Sequence, residues 1–308
     1  MLRGLLLLGA SLPLVGLGGG SASHIRNGRI AFEQTAESGR RTEIYSMTAL
    51  GTKRHLLTPT HWRSNGSPTY SPRGHRIAYV SRHPPDLWTM NSDGRHKLRL
   101  TDTPGIVETG PDWSPDGREI AFAATGLGAE GIFVIGVDGR DPRQLTSGFD
   151  SKPSWSPDGT EIAFDRWAPG SGTVSILVVP VGGGSPKVVS SHLRHPGISD
   201  LDPDWSPDGN RILFASDRRD TFQLDLWTMN TDGSDLRRLT NTPGLDEHDP
   251  AWSPDGRWIT YAGQSSSHGA SRYQLYVSRA NGASRRMITH ACGSCAIIND
   301  EPSWQPLP

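Results

Sequence analysis

Acidic side chains recur at one place in this 308-residue sequence, in the few positions before each of several Pro-x-Trp tripeptides. With one histidine they form the following set: Glu108, Asp150, Asp200, Asp202, Asp246, Glu247, His248, Asp249, Asp300 and Glu301. Converging carboxylates with a histidine could bind a divalent cation such as Ca²⁺ or Mg²⁺, or a cationic group on a peptide or small ligand. The candidate ligand-binding residues are Asp202, His248, Asp249, Asp300 and Glu301.

The recurrence itself favours a simpler interpretation of these acidic residues. Repetition of one ancestral unit would place similar side chains in turn caps or solvated loops without any ligand. A ring of like charges is also costly unless something neutralises it. The cation site is therefore a hypothesis that competes with a purely structural role.

No residue is assigned a catalytic role. The chain contains neither the Gly-x-Ser-x-Gly elbow of serine hydrolases nor a His-Glu-x-x-His zinc motif nor a phosphate-binding loop. The aspartates of the repeated Ser-Pro-Asp-Gly segments are better explained as turn caps than as a catalytic carboxylate set. The sequence therefore favours a binding module over an enzyme.

The two cysteines, Cys292 and Cys295, are separated by Gly-Ser in a connecting segment. In a cytosolic chain with alternating strands and helices this spacing would suggest redox chemistry, but in an exported all-β chain it predicts a small structural disulfide. A zinc site would need two further ligands. His290 could supply one of them, and a second is not evident.

The N-terminus has the order of a secretory signal peptide. Arg3 is followed by an apolar run from Leu5 to Leu17 and then by small residues up to Ala22. We predict a signal peptide over residues 1–22, and hence a periplasmic or extracellular protein. An uncleaved anchor is the alternative, whereas a lipoprotein anchor would need a cysteine near the cleavage site.

A repeated segment organises the rest of the chain. It reads Pro-Asp-Trp-Ser-Pro-Asp-Gly over residues 111–117, followed by Glu-Ile-Ala-Phe over 119–122, and its aromatic residues recur every 42 to 50 residues. The five aromatic residues are Tyr70, Trp113, Trp155, Trp205 and Trp252. This period is the length of one four-stranded propeller blade.

The repeated residues predict how each blade is built. Ser-Pro-Asp-Gly is a turn, in which Pro fixes φ, Asp bonds to the local backbone and Gly takes a positive φ. Alternating apolar residues such as Ile120 and Phe122 predict the second strand of the hairpin. Segments such as 86–91, followed by Asp93-Gly94, predict a third and a fourth strand.

The first and last repeats of the sequence are each only half present, and together they make one whole repeat. Residues 301–306 contain the first half of a sixth repeat around Trp304, and residues 27–32 contain a second half without a first. We therefore predict an all-β, six-bladed β-propeller over residues 23–308, with four-stranded antiparallel blades. The C-terminal strand should close the first blade and leave no free sheet edge between the ends.

The repeated Pro-x-Trp-Ser-Pro-Asp-Gly-x-x-Ile-Ala-Phe segment resembles the WD-type repeat of TolB-like β-propellers, from about Asn27 to Trp304. TolB itself is a periplasmic partner of the peptidoglycan-associated lipoprotein and carries an α/β domain before its propeller. The sequence before the first repeat is too short for that domain, so the resemblance implies the propeller alone. The same propeller accompanies hydrolase domains in prolyl-oligopeptidase-like enzymes, which this chain has no length to contain.

The predicted function is recognition of a protein, peptide or envelope polymer through the channel face, by a monomer with no certain cofactor. The formal charge of −1 and the scattered basic residues give no surface for nucleic acid. Longer connections around 168–173, 190–201, 264–272 and 290–300 are the expected partner surfaces. The alternative is a metal-assisted lyase or hydrolase acting on a saccharide in the channel, for which His61, His192 and His195 would have to join His248 at one mouth.

Overall fold

Strands account for all the regular secondary structure in the part of the chain that the structure describes. The structure is a computed structural model, and it describes residues 26–35, 41–59, 64–83, 85–190, 197–218, 223–265, 273–289 and 298–307. These residues contain no helix with the length and apolar character that a membrane crossing requires. The predicted signal peptide lies outside the described residues.

The described strands form six four-stranded antiparallel sheets. Blade 1 contains β1 (Arg26–Thr35), β2 (Thr42–Thr48), β3 (His55–Leu56) and the last strand, β24 (Ile298–Leu307). Blade 2 contains β4 (Asn65–Tyr70), β5 (Arg76–Arg82), β6 (Pro85–Asn91) and β7 (Leu98–Arg99). Blade 3 contains β8 (Val107–Trp113), β9 (Glu119–Thr125), β10 (Gly131–Gly136) and β11 (Arg143–Gln144).

The other three blades have the same strand order. Blade 4 contains β12 (Phe149–Trp155), β13 (Glu161–Ala168), β14 (Thr173–Pro180) and β15 (Lys187–Val188). Blade 5 contains β16 (Asp200–Trp205), β17 (Arg211–Ser216), β18 (Asp225–Asn230) and β19 (Arg237–Arg238). Blade 6 contains β20 (Leu245–Trp252), β21 (Trp258–Ser265), β22 (Tyr273–Arg279) and β23 (Arg286–Met287). The predicted six-bladed propeller is confirmed.

The ring is closed by the C-terminal strand. β24 pairs antiparallel with β1, with Trp304 opposite Ile30 and Ser303 opposite Ala31. The six inner strands, β4, β8, β12, β16, β20 and β24, each contact the inner strands of the neighbouring blades. They therefore surround the central channel, and the predicted closure of blade 1 by β24 is confirmed.

Each Ser-Pro-Asp-Gly segment forms the predicted turn between the first two strands of a blade. In blade 3, Oδ1 of Asp116 accepts hydrogen bonds from Oγ of Ser114 at 2.7 Å and from the backbone N–H of Arg118 at 3.0 Å. Gly117 has a φ of 72°, which favours glycine. Local bonds to this carboxylate lower the pKa of Asp116, so its role is to cap the turn.

Apolar layers between neighbouring blades form the core. Each of six buried clusters joins two adjacent blades; the one between blades 3 and 4, for example, packs Ile132 and Val134 against Trp155 and Phe164. Four of the six aromatic anchors of the repeat, Trp113, Trp155, Trp205 and Trp304, are buried tryptophans. Burial of such side chains contributes about 1.5–3 kcal/mol each.

A hydroxyl joins the fourth strand of every blade to its third strand. The hydroxyl oxygen accepts a hydrogen bond from the backbone N–H of a residue 14 positions earlier, at 2.8–2.9 Å. The six hydroxyl residues are Thr58, Thr101, Thr146, Ser190, Thr240 and Thr289. This bond satisfies a buried N–H where the short fourth strand has ended.

Candidate functional site

A bulge in each inner strand directs one residue into the channel. In blades 2 to 6 the pairing with the second strand shifts register around the residue that precedes Pro, and blade 1 shows the same shift in β24. These residues have φ between 45° and 55°, and they are Ser67, Gly110, Lys152, Asp202, Asp249 and Glu301. Their positive φ takes the side chains out of the strand's alternation, so equivalent positions from all six blades meet at the axis.

The six bulge residues line a cavity of about 310 Å³ in the channel. The prolines that follow them also line it, and the next layer contains Asp112, Ser154 and Asp204. This volume lies at the lower end of the range for small-molecule or side-chain pockets. The cavity is therefore large enough for one inserted side chain or a small ligand.

Lys152 provides the positive charge at the centre of the acidic residues. Its Nζ lies 2.6 Å from Oδ1 of Asp249 and 2.5 Å from Oε1 of Glu301, and its side chain is 31% exposed. Burial alone would lower the pKa of Lys152, but the carboxylates of Asp249, Glu301 and Asp202 raise it well above its usual value. The ammonium in turn outweighs the effect of burial on Glu301 and lowers the pKa of that carboxyl to about 2.

Carboxyl groups outnumber the cations around this lysine. Besides the two in direct contact there are Asp202, Asp165, Asp300 and Glu33, of which Glu33 is also paired with Arg82 at 3.0 Å. Burial and the neighbouring Asp249 raise the pKa of Asp202 to about 7. Burial and the negative charge of Glu301 raise that of Glu33 to about 8. A cation added to the site would favour the ionised form of these carboxyls, because a nearby positive charge lowers a carboxyl pKa.

Backbone N–H groups of the bulges connect these carboxyls around the ring. Asp165 accepts from the N–H of Asp202 at 3.0 Å, and Asp202 accepts from the N–H of Asp249 at 3.1 Å. Glu33 likewise accepts from the N–H of Ser67 at 3.2 Å. The carboxyls are therefore held in place by neighbouring blades, and the site is rigid before any ligand arrives.

His248 lies beside the cavity. Its Nε2 is 3.2 Å from Oδ2 of Asp246, and its ring packs at 5.6 Å between centroids against Tyr273. Burial opposes protonation of His248, but the bond and charge of Asp246 raise its pKa overall. Burial of the Tyr273 phenol raises its pKa, and the negative charge of Asp300 raises it further. His248 and Asp300 thus belong to one polar cluster beside the cavity.

A second acidic layer lies deeper in the channel. Asp112 accepts from the backbone N–H of Trp155 at 2.8 Å, and Asp204 accepts from that of Trp252 at 2.6 Å. Burial raises the pKa of Asp112 to about 6 and that of Asp204 to about 7. These two aspartates connect neighbouring blades, and the sequence analysis did not include them among the site residues.

The structure brings together all five predicted binding residues. Asp202, Asp249 and Glu301 line the cavity, and His248 and Asp300 lie beside it. Lys152 was missed, although it precedes Pro153 as the three acidic bulge residues precede theirs. Cys292 and Cys295, with His61, His192 and His195, lie outside the described residues, so the disulfide and the histidine-rich mouth stay predictions.

Four acidic residues of the predicted ring do not face the cavity. Glu108, Asp150 and Glu247 accept hydrogen bonds from the hydroxyls of Thr101, Thr146 and Thr240, respectively. The fourth, Asp200, is fully buried against Arg218. Their expected approach to the channel was wrong, because the bulge that follows them redirects only the residue before Pro.

Two features of the described residues concern metal and dinucleotide binding. These residues contain no group of three or more His, Cys, Asp or Glu side chains placed to hold a metal ion. Residues 126–131 read Gly-Leu-Gly-Ala-Glu-Gly, the spacing of a dinucleotide-binding loop, but they join antiparallel strands β9 and β10. That motif needs a strand followed by a helix, so it has no such role here.

Exposed apolar side chains lie toward the end of the channel where the inner strands begin. Phe149, at the start of β12, pairs with Trp167 across the sheet, and their rings meet edge to face at 5.3 Å. They are 43% and 46% exposed. In the neighbouring blade Val107 and Leu127 are exposed as well. We call Phe149 and Trp167, whose rings are in contact, the apolar patch.

The architecture and the site define a six-bladed β-propeller with a charged central cavity. The sequence profile of the TolB beta propeller domain matches residues 23–307, and the chain belongs to this family. The chain is similar to the crystal structure of TolB from Acinetobacter baumannii, with a TM-score of 0.75 and 24% identity over 90% of this chain and 66% of that one.

Two proteins of Agrobacterium are further relatives. The proposed TolB of Agrobacterium tumefaciens has a TM-score of 0.69 at 19% identity, over 91% of this chain and 99% of that one. An uncharacterized protein of Agrobacterium fabrum is 31% identical over 121 residues, which are 38% of this chain and 39% of the relative. The chain thus spans less than two fifths of that curated relative, and just under two thirds of the Acinetobacter structure.

Proposed function

We propose that the protein is an exported, non-catalytic binding scaffold whose channel receives a cationic group of a protein or peptide partner. The observation that carries the proposal is the excess of carboxyl groups around Lys152. Among the described residues, six carboxyl groups lie around Lys152 with one other cation, Arg82, so a further cation would stabilise the ionised form of carboxyls whose pKa burial raises. The six are Glu33, Asp165, Asp202, Asp249, Asp300 and Glu301. The attraction between an inserted cation and these carboxylates is strong because the cavity is partly shielded from water.

The apolar patch supports a peptide over a free metal ion. Phe149 precedes Lys152 by three residues on β12, which corresponds to about 10 Å along an extended strand. A peptide with a cationic side chain in the cavity would place an apolar side chain about three residues away on Phe149 and Trp167. Aromatic residues exposed beside a charged pocket are typical of binding surfaces.

Isothermal titration calorimetry of the purified protein tests this proposal. The probe is a blocked heptapeptide with one lysine at its centre and one phenylalanine three positions later, and the control peptide carries N-acetyl-lysine. We expect saturable binding of the first peptide only. The substitution Asp202→Asn should weaken binding about tenfold, equivalent to about 1.4 kcal/mol.

Asp232→Asn is the matched control, because Asp232 is an exposed turn residue of blade 5. It should bind the peptide as the unmodified protein does. Equal binding of both peptides, or no effect of Asp202→Asn, would refute the role of the acidic cavity.

The same calorimetry distinguishes a divalent-cation site. Chelator-treated protein is titrated with Ca²⁺, Mg²⁺ and Mn²⁺ and compared with the triple variant Asp202→Ala, Asp249→Ala, Glu301→Ala. Saturable heat that disappears in the variant would assign the cavity to a metal ion. The absence of heat would leave the peptide as its proposed occupant.

Export is the second part of the proposal, and it rests on the order of residues 1–22. Its test is N-terminal sequencing of the protein recovered outside the cytoplasm. A mature N-terminus at Ser23 would support cleavage after Ala22, and a retained Met1 in the cytoplasmic fraction would refute it.

A further inference from the structure

A cleft between blades 6 and 1 shares one of its described lining residues, Trp304, with the channel cavity and is otherwise lined by different residues. Its volume is about 440 Å³, within the range of small-molecule sites. Its principal lining residues are Leu50, Trp258, Val277, Arg279, Arg286 and Trp304. Val277 and Trp304 are buried members of the core cluster that joins these two blades, so the base of the cleft is apolar.

Two departures from the repeat create this cleft. The position of Trp258, at the start of the second strand, is charged in the other five blades, where it is Arg29, Arg76, Glu119, Glu161 or Arg211. Leu50 occupies the tight-turn position that is Asp93, Asp138, Asp232 or Asn281 in four other blades. Both replacements are apolar, and they face the same cleft across the seam between the blades.

The exposed position of Leu50 is energetically unfavourable for an apolar side chain. It is 66% exposed, in a turn where Asp or Asn would bond to the local backbone. The fold alone therefore does not require it, as the same turn in the other blades shows. Large apolar side chains exposed beside a concave apolar surface are typical of ligand sites.

The rim of the cleft is positively charged. The guanidinium of Arg279 lies 5.3 Å from the ring centroid of Trp258. Nη2 of Arg286 donates to the backbone carbonyl of Ala49 at 2.8 Å, across the seam. No Asp or Glu is among the described residues that line the cleft, so no lining carboxylate competes with an anion for the two guanidinium groups.

We propose that this cleft is a second binding site, for a small aromatic anion. The aromatic ring of the ligand packs between Leu50 and Trp258, over Val277 and Trp304. Its carboxylate, or another anionic group, is held by Arg279 and Arg286. Charge-assisted bonds to guanidinium are the strong kind, and their planar geometry suits a carboxylate.

The probe for this site is 2-naphthoate, titrated by calorimetry and by quenching of tryptophan fluorescence. Its cationic counterpart, 2-naphthylmethylammonium, has a similar ring and the opposite charge. We expect saturable one-to-one binding of 2-naphthoate and none of the ammonium compound. Equal affinity for both probes would overturn the proposal, since it would exclude recognition by the two arginines.

Substitutions that restore residues of the other blades locate the site. Trp258→Arg and Leu50→Asn remove apolar surface without adding negative charge, and each should weaken 2-naphthoate binding at least tenfold. Leu236→Asn is the matched control, because Leu236 is 40% exposed on blade 5, away from the cleft. Thermal unfolding confirms that each variant is folded, and Arg279→Gln, at an exposed position, supplies an independent test. Unchanged binding in Trp258→Arg and Arg279→Gln, or no saturable binding at all, would refute the site.

Discussion

Lys152 and Glu301 are 149 residues apart in the sequence, yet Nζ of the lysine lies 2.5 Å from Oε1 of the glutamate. The contact crosses the channel from blade 4 to the strand that closes blade 1. Lys152 also contacts Asp249 of blade 6, so one ammonium connects three blades at the axis. This arrangement explains how the ring tolerates so many carboxyl groups.

The first prediction concerns this ammonium. Lys152→Met should lower the free energy of unfolding by about 2–3 kcal/mol, because it leaves two enclosed carboxylates without a counter-charge. Urea unfolding provides the measurement. Lys187→Met, at an exposed position in β15, should change stability by less than about 0.5 kcal/mol.

A second substitution distinguishes lost charge from lost packing. Adding Glu301→Gln to Lys152→Met removes one of the unpaired charges and should recover part of the stability. A double variant less stable than Lys152→Met alone would contradict the electrostatic explanation.

Stability should decrease from pH 5.5 to pH 8.5. The pKa values of Glu33, Asp202 and Glu247 are raised by burial to about 8, 7 and 7, above those of the unfolded chain. The folded state therefore binds more protons in this window, and raising the pH favours unfolding. Glu301 has the opposite effect, because its pKa is lowered to about 2 in the folded protein. Its contribution to the free energy of unfolding is lost as the pH falls through the acid range.

Differential scanning calorimetry at intervals between pH 3 and pH 9 measures this profile. The midpoint temperature should be highest near pH 5, and Asp202→Asn should flatten the decrease above it. A midpoint that rises steadily to pH 8.5 would show that these carboxyls ionise without cost in the folded protein.

The hydroxyl that joins the third and fourth strands can be tested in blade 4. Ser190→Ala removes the acceptor for the backbone N–H of Ile176, which lies 2.8 Å from Oγ. A buried donor without a partner costs about 1–3 kcal/mol. We expect that loss in chemical denaturation, whereas Ser171→Ala, in an exposed turn, should have little effect. Equal stability of the two variants would mean that another group accepts this bond.

The positive φ of the bulge residue can be tested at Gly110. Its φ is 55°, and a Cβ there would meet nothing closer than 3.5 Å, so Gly110→Ala tests conformation without a clash. We expect a loss of about 1 kcal/mol. Thr109→Ala, the exposed neighbour in the same strand, is the control. No loss at Gly110 would indicate that the bulge relaxes to another conformation.

Much of the fold was predictable because the repeat carries its own turn chemistry. Ser114, Asp116 and Gly117 form one local turn, and this turn is repeated around the ring. The position before Pro was also predictable as a site, and aligning Lys152 with Asp202 would have added the lysine to the predicted cluster.

Other members of the site depend on contacts between blades that the repeat does not encode. Asp165 and Glu33 belong to second strands, and they reach the bulges of the following blades. Glu108 and Asp150 were misplaced because all the acidic residues shortly before Pro-x-Trp were expected to approach the channel, whereas the positive-φ bulge directs only the residue before Pro into it. The curvature of the ring and the bulge are tertiary features, so the sequence pattern alone does not specify these contacts.

Because β24 pairs with β1, blade 1 and the closed ring can be completed only after the other blades have their strands. Blade 1 lacks its inner strand until β24 is available to pair, and β1 presents an unpaired edge until then. The layer between blades 6 and 1 likewise needs Trp304. Earlier blades are free to form individually, but the ring becomes a single cooperative unit only when the first and last strands of the propeller meet.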